Sequence, residues 1–196
     1  LSEDELWFHL VKQLCVIGGA DSFENLAEDP DTFGEFKSRI GLSNLLAVSN
    51  DRRNYIARIL KRYHVTKFYN KQAQKIDALL DNRQVVNDGH FVLLSDMDHR
   101  TLGYREIRNR LISRNPYFKM KSASEYMIAT GLSIDVLALS TRTGDILSEH
   151  FGLNVDRRKL QDTKYMYESV EDGLREGCNT IGIPLAYLDR MLFCFS

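Results

Sequence analysis

The sequence predicts an all-α fold, on three observations. Apolar residues recur at 3–4 spacing in one segment after another. Glycine and proline fall between those segments rather than inside them. Strand-like alternation is nearly absent, which argues against an α/β nucleotide-binding fold. No Gly-rich phosphate loop, His-Glu-x-x-His or Cys-x-x-Cys is present, so the sequence offers no motif for nucleotide, zinc-hydrolase or dithiol chemistry.

Element by element, Glu3 to Ile17 carries Leu6, Trp7, Leu10, Val11 and Leu14 on one face, and Gly18-Gly19 breaks it. Residues 41–48 read as a short apolar helix. Asn50 or Asp51 caps the next, whose stripe is Tyr55, Ile56, Ile59, Leu60 and Tyr63. Residues 69–81 form another helix through Ala73, Ile76, Leu79 and Leu80. Phe91 to Leu94 is short enough to be a strand or a buried turn. A helix then runs from about Arg105, with Ile107, Leu111 and Ile112 inward, until Pro116 stops it. Ala123, Tyr126, Met127 and Thr130 make the inward stripe of the following helix, and Gly131 ends it. Asp135 reads as the N-cap of a helix after that, or Asp145 as the cap of a short one from Ile146. Asp162 or Thr163 caps a helix through Glu176, with Tyr165, Met166, Val170 and Leu174 inward. Pro184 opens the last helix.

At 196 residues the chain is expected to form a single helical domain of two lobes around a cleft, with its helix–hairpin–helix at about residues 107–131. No apolar run approaches the roughly 18–20 residues that span a bilayer, and there is no leader-like start, so no membrane role is expected. Cys15, Cys178 and Cys194 are far apart and each lies among apolar residues. They read as buried, reduced thiols of an intracellular (cytoplasmic or nucleoid) protein. No metal and no cofactor is expected.

Net charge is −1, but the distribution is uneven. Residues 1–36 hold nine acids and one base, whereas residues 52–75 hold eight bases and no acid. Arg105 to Lys121 adds six bases against one acid, Glu106. A near-neutral protein with basic sectors can bind nucleic acid, because the local field counts for more than the total. The competing reading is that these are solvated helix faces covered by acids elsewhere in the fold.

The break between the two central helices reads Asn115-Pro-Tyr-Phe-Lys-Met-Lys121-Ser-Ala-Ser124. It resembles the hairpin of the helix-hairpin-helix DNA glycosylase/AP lyase superfamily, most closely the archaeal-type 8-oxoguanine glycosylase/lyases. Lys121 falls on that family's Schiff-base lysine, and Ala123-Ser124 on its Ala-Ser. Asp135-Val-Leu-Ala-Leu139 is similar to the segment leading to the family's catalytic aspartate. Ile183 to Phe193 is similar to its terminal helix, and Glu5 to Ile17 to its first.

The resemblance implies a bifunctional enzyme acting on a damaged or abasic DNA duplex, as a monomer. An amine attacks the sugar C1′, and the resulting Schiff base acidifies the neighbouring carbon and permits β-elimination. The chemistry needs a neutral amine, which nearby cations favour, here Arg114 and Lys119. Arg114, Tyr117, Lys119 and Arg142 are the implied DNA contacts; Phe193 and Asp189 are the implied base pocket. Two departures stand out. The hairpin glycines are Tyr117 and Lys119, and the aspartate position is Ser140, with Asp145 able to replace it only through a longer connecting turn. The alternative is therefore a DNA-binding homologue impaired in catalysis, in which Lys121 is an exposed or phosphate-contacting lysine.

Overall fold

The computed structural model describes residues 1–16, 21–98, 100–152, 160 and 163–194, without the side chains of residues 21, 151, 193 and 194. The fold is helical throughout, with one two-stranded hairpin among the described residues. The chain divides into two compact units, Leu1–Asp96 and Met97–Ser196.

The first unit holds helices α1 (Glu3–Cys15), α2 (Asp21–Ala27), α3 (Pro30–Arg39), α4 (Leu42–Leu46), α5 (Arg52–Arg62) and α6 (Tyr69–Leu80). Ser2 caps α1 and forms a reciprocal capping box with Glu5. Trp7, Leu10, Val11 and Leu14 are fully buried, as their spacing requires, and Trp7 Nε1 donates to the Ile40 carbonyl at 3.0 Å. Phe36 packs edge-on against Phe8 and Phe23, and Phe8 and Phe23 are tilted against each other, around this stripe. α2 and α3 have no counterpart in the sequence reading; Asp29 caps α3 and Pro30 starts it. Asp51 stands at the N-cap of α5, but in the left-handed region, with its side chain turned to Asn54 instead of the helix. Arg52 at the start of α5 reaches Asp77 and Asp81 at the end of α6, which fixes the two helices antiparallel. Of the segment left open between strand and turn, Phe91 ends one strand of a hairpin, β1 (Val86–Asn87) with β2 (His90–Phe91), and Leu93 and Leu94 lie in a turn. Asp88 and Gly89 make its turn, both at positive φ, as a two-residue hairpin loop demands.

The second unit holds α7 (Tyr104–Arg114), α8 (Met120–Thr130), α9 (Thr141–Phe151), α10 (Lys164–Ile181) and α11 (Leu185–Cys194). Met120, Leu137, Leu139, Leu147, Leu160, Tyr167, Cys178 and Leu185 form its core, with Met166, Val170 and Leu188 packed on it. Two helices joined by a tight turn lie over the residues where the spacing predicts them. α7 stops before Pro116, and Gly131 closes α8 at φ +72°. Asp135 does not cap α9; Ser140 does. α10 runs five residues beyond Glu176, to Ile181. Its buried line is Tyr167, Glu171 and Cys178, and Tyr165, expected inside, is 82% exposed. Asp162 lies outside the described residues, and Thr163 occupies the N-cap position without a side-chain bond.

Candidate functional site

The hairpin between α7 and α8 is built by Asn115. Its side chain is buried, and its Oδ1 accepts the Tyr117 N–H at 3.0 Å while its carbonyl accepts the Phe118 N–H at 3.0 Å. Phe118 is buried against Tyr126, ring centroids 5.4 Å apart. The Lys119 N–H then donates to Ser122 Oγ at 2.9 Å, closing the first turn of α8. Neither Tyr117 nor Lys119 has a positive φ, so this turn has no conformational need of glycine at those positions.

Lys121 is therefore the second residue of α8. Its ammonium pairs with Glu125, one turn on, and both side chains are about one-third exposed. Asp189, on α11, feels the charge of both. Burial raises its carboxyl from the ordinary 3.8 to about 6, and the charge of Glu125 pushes the same way. Lys121, the Ala138 N–H and Arg190 pull in the opposite direction.

The segment 136–139 is buried and extended, and it is pinned residue by residue. The Leu137 N–H donates to Glu171 Oε1 at 3.0 Å. The Ala138 N–H reaches Asp189. The Leu139 N–H donates to the Tyr167 hydroxyl at 3.1 Å, and that hydroxyl donates to the Leu137 carbonyl. Burial pushes the Tyr167 hydroxyl far above its ordinary range, so it remains a donor. Glu171 is in turn held bidentately by Arg108, at 2.7 and 2.9 Å, and neither side chain has any exposure. Arg108 also donates to Ser124 Oγ on α8 at 3.1 Å. One buried polar network thus ties α7, α8, α10 and the segment that leads into α9.

That segment delivers Ser140 to the N-cap of α9. Its Oγ accepts the Thr143 N–H at 3.0 Å, and its own N–H donates to Thr143 Oγ1 at 3.3 Å. Gly144 and Asp145 are not in a connecting turn, as the sequence suggested; both lie inside α9, and Asp145 is half-buried there. Asp135 binds Arg175 Nε at 2.9 Å.

The expected basic face from Arg105 to Lys121 is corrected. Arg105 pairs with Asp172, Arg108 is buried on Glu171, Arg110 pairs with Glu106, and Lys121 with Glu125. Of the expected DNA contacts, Lys119 and Arg142 are exposed, and Arg114 and Tyr117 half-buried. The Phe193 side chain lies outside the described residues. Of the expected catalytic residues, Lys121 pairs with Glu125 on its own helix and Ser140 caps α9.

Sequence reasoning missed Glu125, Arg108, Ser124, Tyr167 and Glu171. The signal for the buried pair was present. Arg108 falls in the apolar line Ile107, Leu111 of α7, and Glu171 in the line Tyr167, Leu174, Cys178 of α10. Opposite charges in two core-facing lines are expected to meet.

Comparison with models of known protein families, with curated proteins and with solved structures finds no match. Among the described residues no helix is long and apolar enough to cross a membrane, and no group of His, Cys, Asp and Glu is placed to hold a metal ion.

Proposed function

We propose that the chain is a DNA glycosylase/AP lyase of the helix-hairpin-helix type, with Lys121 as its Schiff-base amine. The observation that carries this reading is the setting of Lys121. It stands in the first turn of a helix entered from a tight hairpin, its ammonium paired with the partly exposed Glu125 carboxylate one turn on. A carboxylate in contact with an amine is a group that can take up its proton during imine formation. The partner is a damaged or abasic duplex, bound by a monomer, and the buried free thiols Cys15 and Cys178 fit a reducing, intracellular setting.

A second reading has its own observation. Ser140, at the position of the family aspartate, is committed to capping α9 and carries no charge to stabilise a departing base. On that reading the chain binds DNA and does not excise bases. An abasic site separates the two, because its ring-opened form already presents an aldehyde and needs only the amine. Borohydride should trap a covalent adduct with an abasic duplex, and 8-oxoguanine excision should be the weaker activity. Lys121→Gln should abolish the adduct. Ser140→Asp keeps the cap and should raise excision. Trapping undiminished in Lys121→Gln would sink the assignment. Excision lost in Asp145→Asn and indifferent to Ser140→Asp would move the carboxylate to Asp145.

A further inference from the structure

We propose that the turn joining α5 to α6, with the first turns of α6, binds single-stranded nucleic acid. Cations on both helices take the phosphates, and the exposed ring of Phe68 takes the face of a base. This surface lies in the first unit, goes beyond the Schiff-base reading of Lys121 and does not rest on it.

Three observations support it. The first is charge without compensation. Residues 52–75 hold no acid. Carboxylates from elsewhere in the unit serve Arg52, through Asp77 and Asp81, and Arg62, through Glu35. Arg58, Lys61, Lys67 and Lys71 are exposed and have no ion-pair partner among the described residues. The second is Phe68, which is 51% exposed. Its N–H donates to Thr66 Oγ1 at 3.2 Å, and its carbonyl accepts the Gln72 N–H at 2.9 Å. The ring is thus presented from a fixed backbone at the entrance to α6. The third is spacing. Phe68, Lys71 and Lys75 stand at i, i+3 and i+7, along one side of α6. The two lysines are one turn apart, about 6 Å along the axis. Lys61 lies over the Tyr69 ring at 5.6 Å, which joins the end of α5 to the start of α6. Arg58 shares the face of Lys61, one turn back on α5.

The partner follows from that combination. Phosphates answer the row of cations, and a flat aromatic answers the ring. Inside a duplex both faces of a base are covered by its neighbours. Only an unpaired strand can lay a base on Phe68 while its phosphates follow the cations. An acidic peptide offers the charge without the ring. A bilayer needs an apolar helix face to bury. The apolar side of α6, with Ala73, Ile76, Leu79 and Leu80, is already buried in the fold. Phe68 is the one large apolar side chain left exposed between Arg52 and Leu80.

The test is the fluorescence anisotropy of labelled oligothymidylate, about 20 nucleotides long, titrated with the whole chain at several salt concentrations. It should bind at low salt, and its log affinity should fall by about 3 per tenfold rise in salt, about 0.7 for each of four phosphate contacts. Phe68→Ala should weaken oligothymidylate on the order of 5- to 100-fold, leave the salt slope alone and change the affinity for a duplex of the same length by less than about twofold. Lys67→Gln with Lys71→Gln should reduce the slope by about 1.4. Phe68→Trp should keep the affinity and report the stacking directly, as quenching of its fluorescence, because the chain's one tryptophan, Trp7, is fully buried. Oligouridylate run beside oligothymidylate shows whether the strand is RNA or DNA, and binding of either through Phe68 supports the surface. No binding of either at low salt overturns the proposal, and so does Phe68→Ala with unchanged affinity or with an equal loss on duplex. Binding to anionic phospholipid vesicles without binding to either strand also overturns it and gives the face to a membrane. Borohydride trapping on an abasic duplex reads Lys121 separately. Trapping with no strand bound overturns this surface alone; a strand bound through Phe68 with no trapping overturns the role of Lys121 and leaves this surface.

Discussion

Arg108 has no contact with solvent, and a guanidinium is tolerated there only because Glu171 meets it with two hydrogen bonds. Removing one partner of such a pair strands a buried charge, which costs about 3–5 kcal/mol, whereas removing both is far milder. Arg108→Met should therefore lower the unfolding free energy by about that amount in denaturant titrations. Arg108→Met with Glu171→Gln should recover much of the loss, since Gln still accepts the Leu137 N–H. Losses that simply add would show that the pair does not act as a unit. Asp189 presents the opposite economy. Its carboxyl binds its proton more tightly folded than unfolded, so the stability it contributes is fully present below 3.8 and is lost as pH rises through about 6. The span corresponds to about 3 kcal/mol at most. Asp189→Asn should raise the Tm at pH 7 and change it little at pH 3.5, and equal shifts at both would contradict the burial argument. The wild-type residue thus weakens the fold at neutral pH, which suits a group retained for chemistry.

The helix–hairpin–helix was legible in the sequence because its signals are local. Pro116 forbids the helix before it, Gly131 supplies the left-handed stop, and three apolar residues mark each inward face. The start of α9 was not legible: the sequence offered Asp135 and Asp145 as caps, and Ser140 takes the position. Asp135 is an equally good cap by type, but it is drawn to Arg175, forty residues away in sequence. Ser140 prevails because Glu171 and Tyr167 hold residues 137–139 extended up to it. α2 and α3 were missed because their seven and ten residues carry few apolar side chains, and the aromatic packing that orders them is tertiary. The cap itself is testable. Ser140→Ala should cost about 1 kcal/mol, and Ser140→Asp about nothing, since aspartate caps as well as serine. Thermal unfolding of the two variants reads this directly. A large loss with Ser140→Asp would mean that the position rejects charge, and would remove it from any comparison with an enzyme aspartate.

At the scale of the whole molecule the uneven charge is partly cancelled inside each unit. Glu35 takes Arg39 and Arg62, Glu5 takes Lys37, and Asp77 and Asp81 take Arg52. In the second unit four of the six hairpin bases are paired. Among the described residues, a group of bases without such partners lies on α5, on α6 and in the connection between them. Arg53, Arg58, Lys67 and Lys71 are exposed and have no described carboxylate partner. Lys61, exposed, lies over the Tyr69 ring at 5.6 Å. Lys75 is pushed below its ordinary value by burial and then by the charge of Lys71. The proposed DNA partner would meet the exposed bases of this face. Each lysine or arginine on a phosphate releases about one counterion, so affinity should fall linearly with salt on logarithmic axes. Replacing Arg58, Lys67 and Lys71 together by Ala should flatten that slope by up to about 3 and weaken every sequence alike. Replacing Lys119 alone should flatten it by about 1. The buried Arg108 should contribute nothing to the slope, although it was counted with the basic hairpin. Filter binding at several salt concentrations measures all three. A triple variant whose slope equals that of the unaltered protein would show that the α5–α6 face does not meet the phosphates, and would leave the charge there as a solvated helix surface.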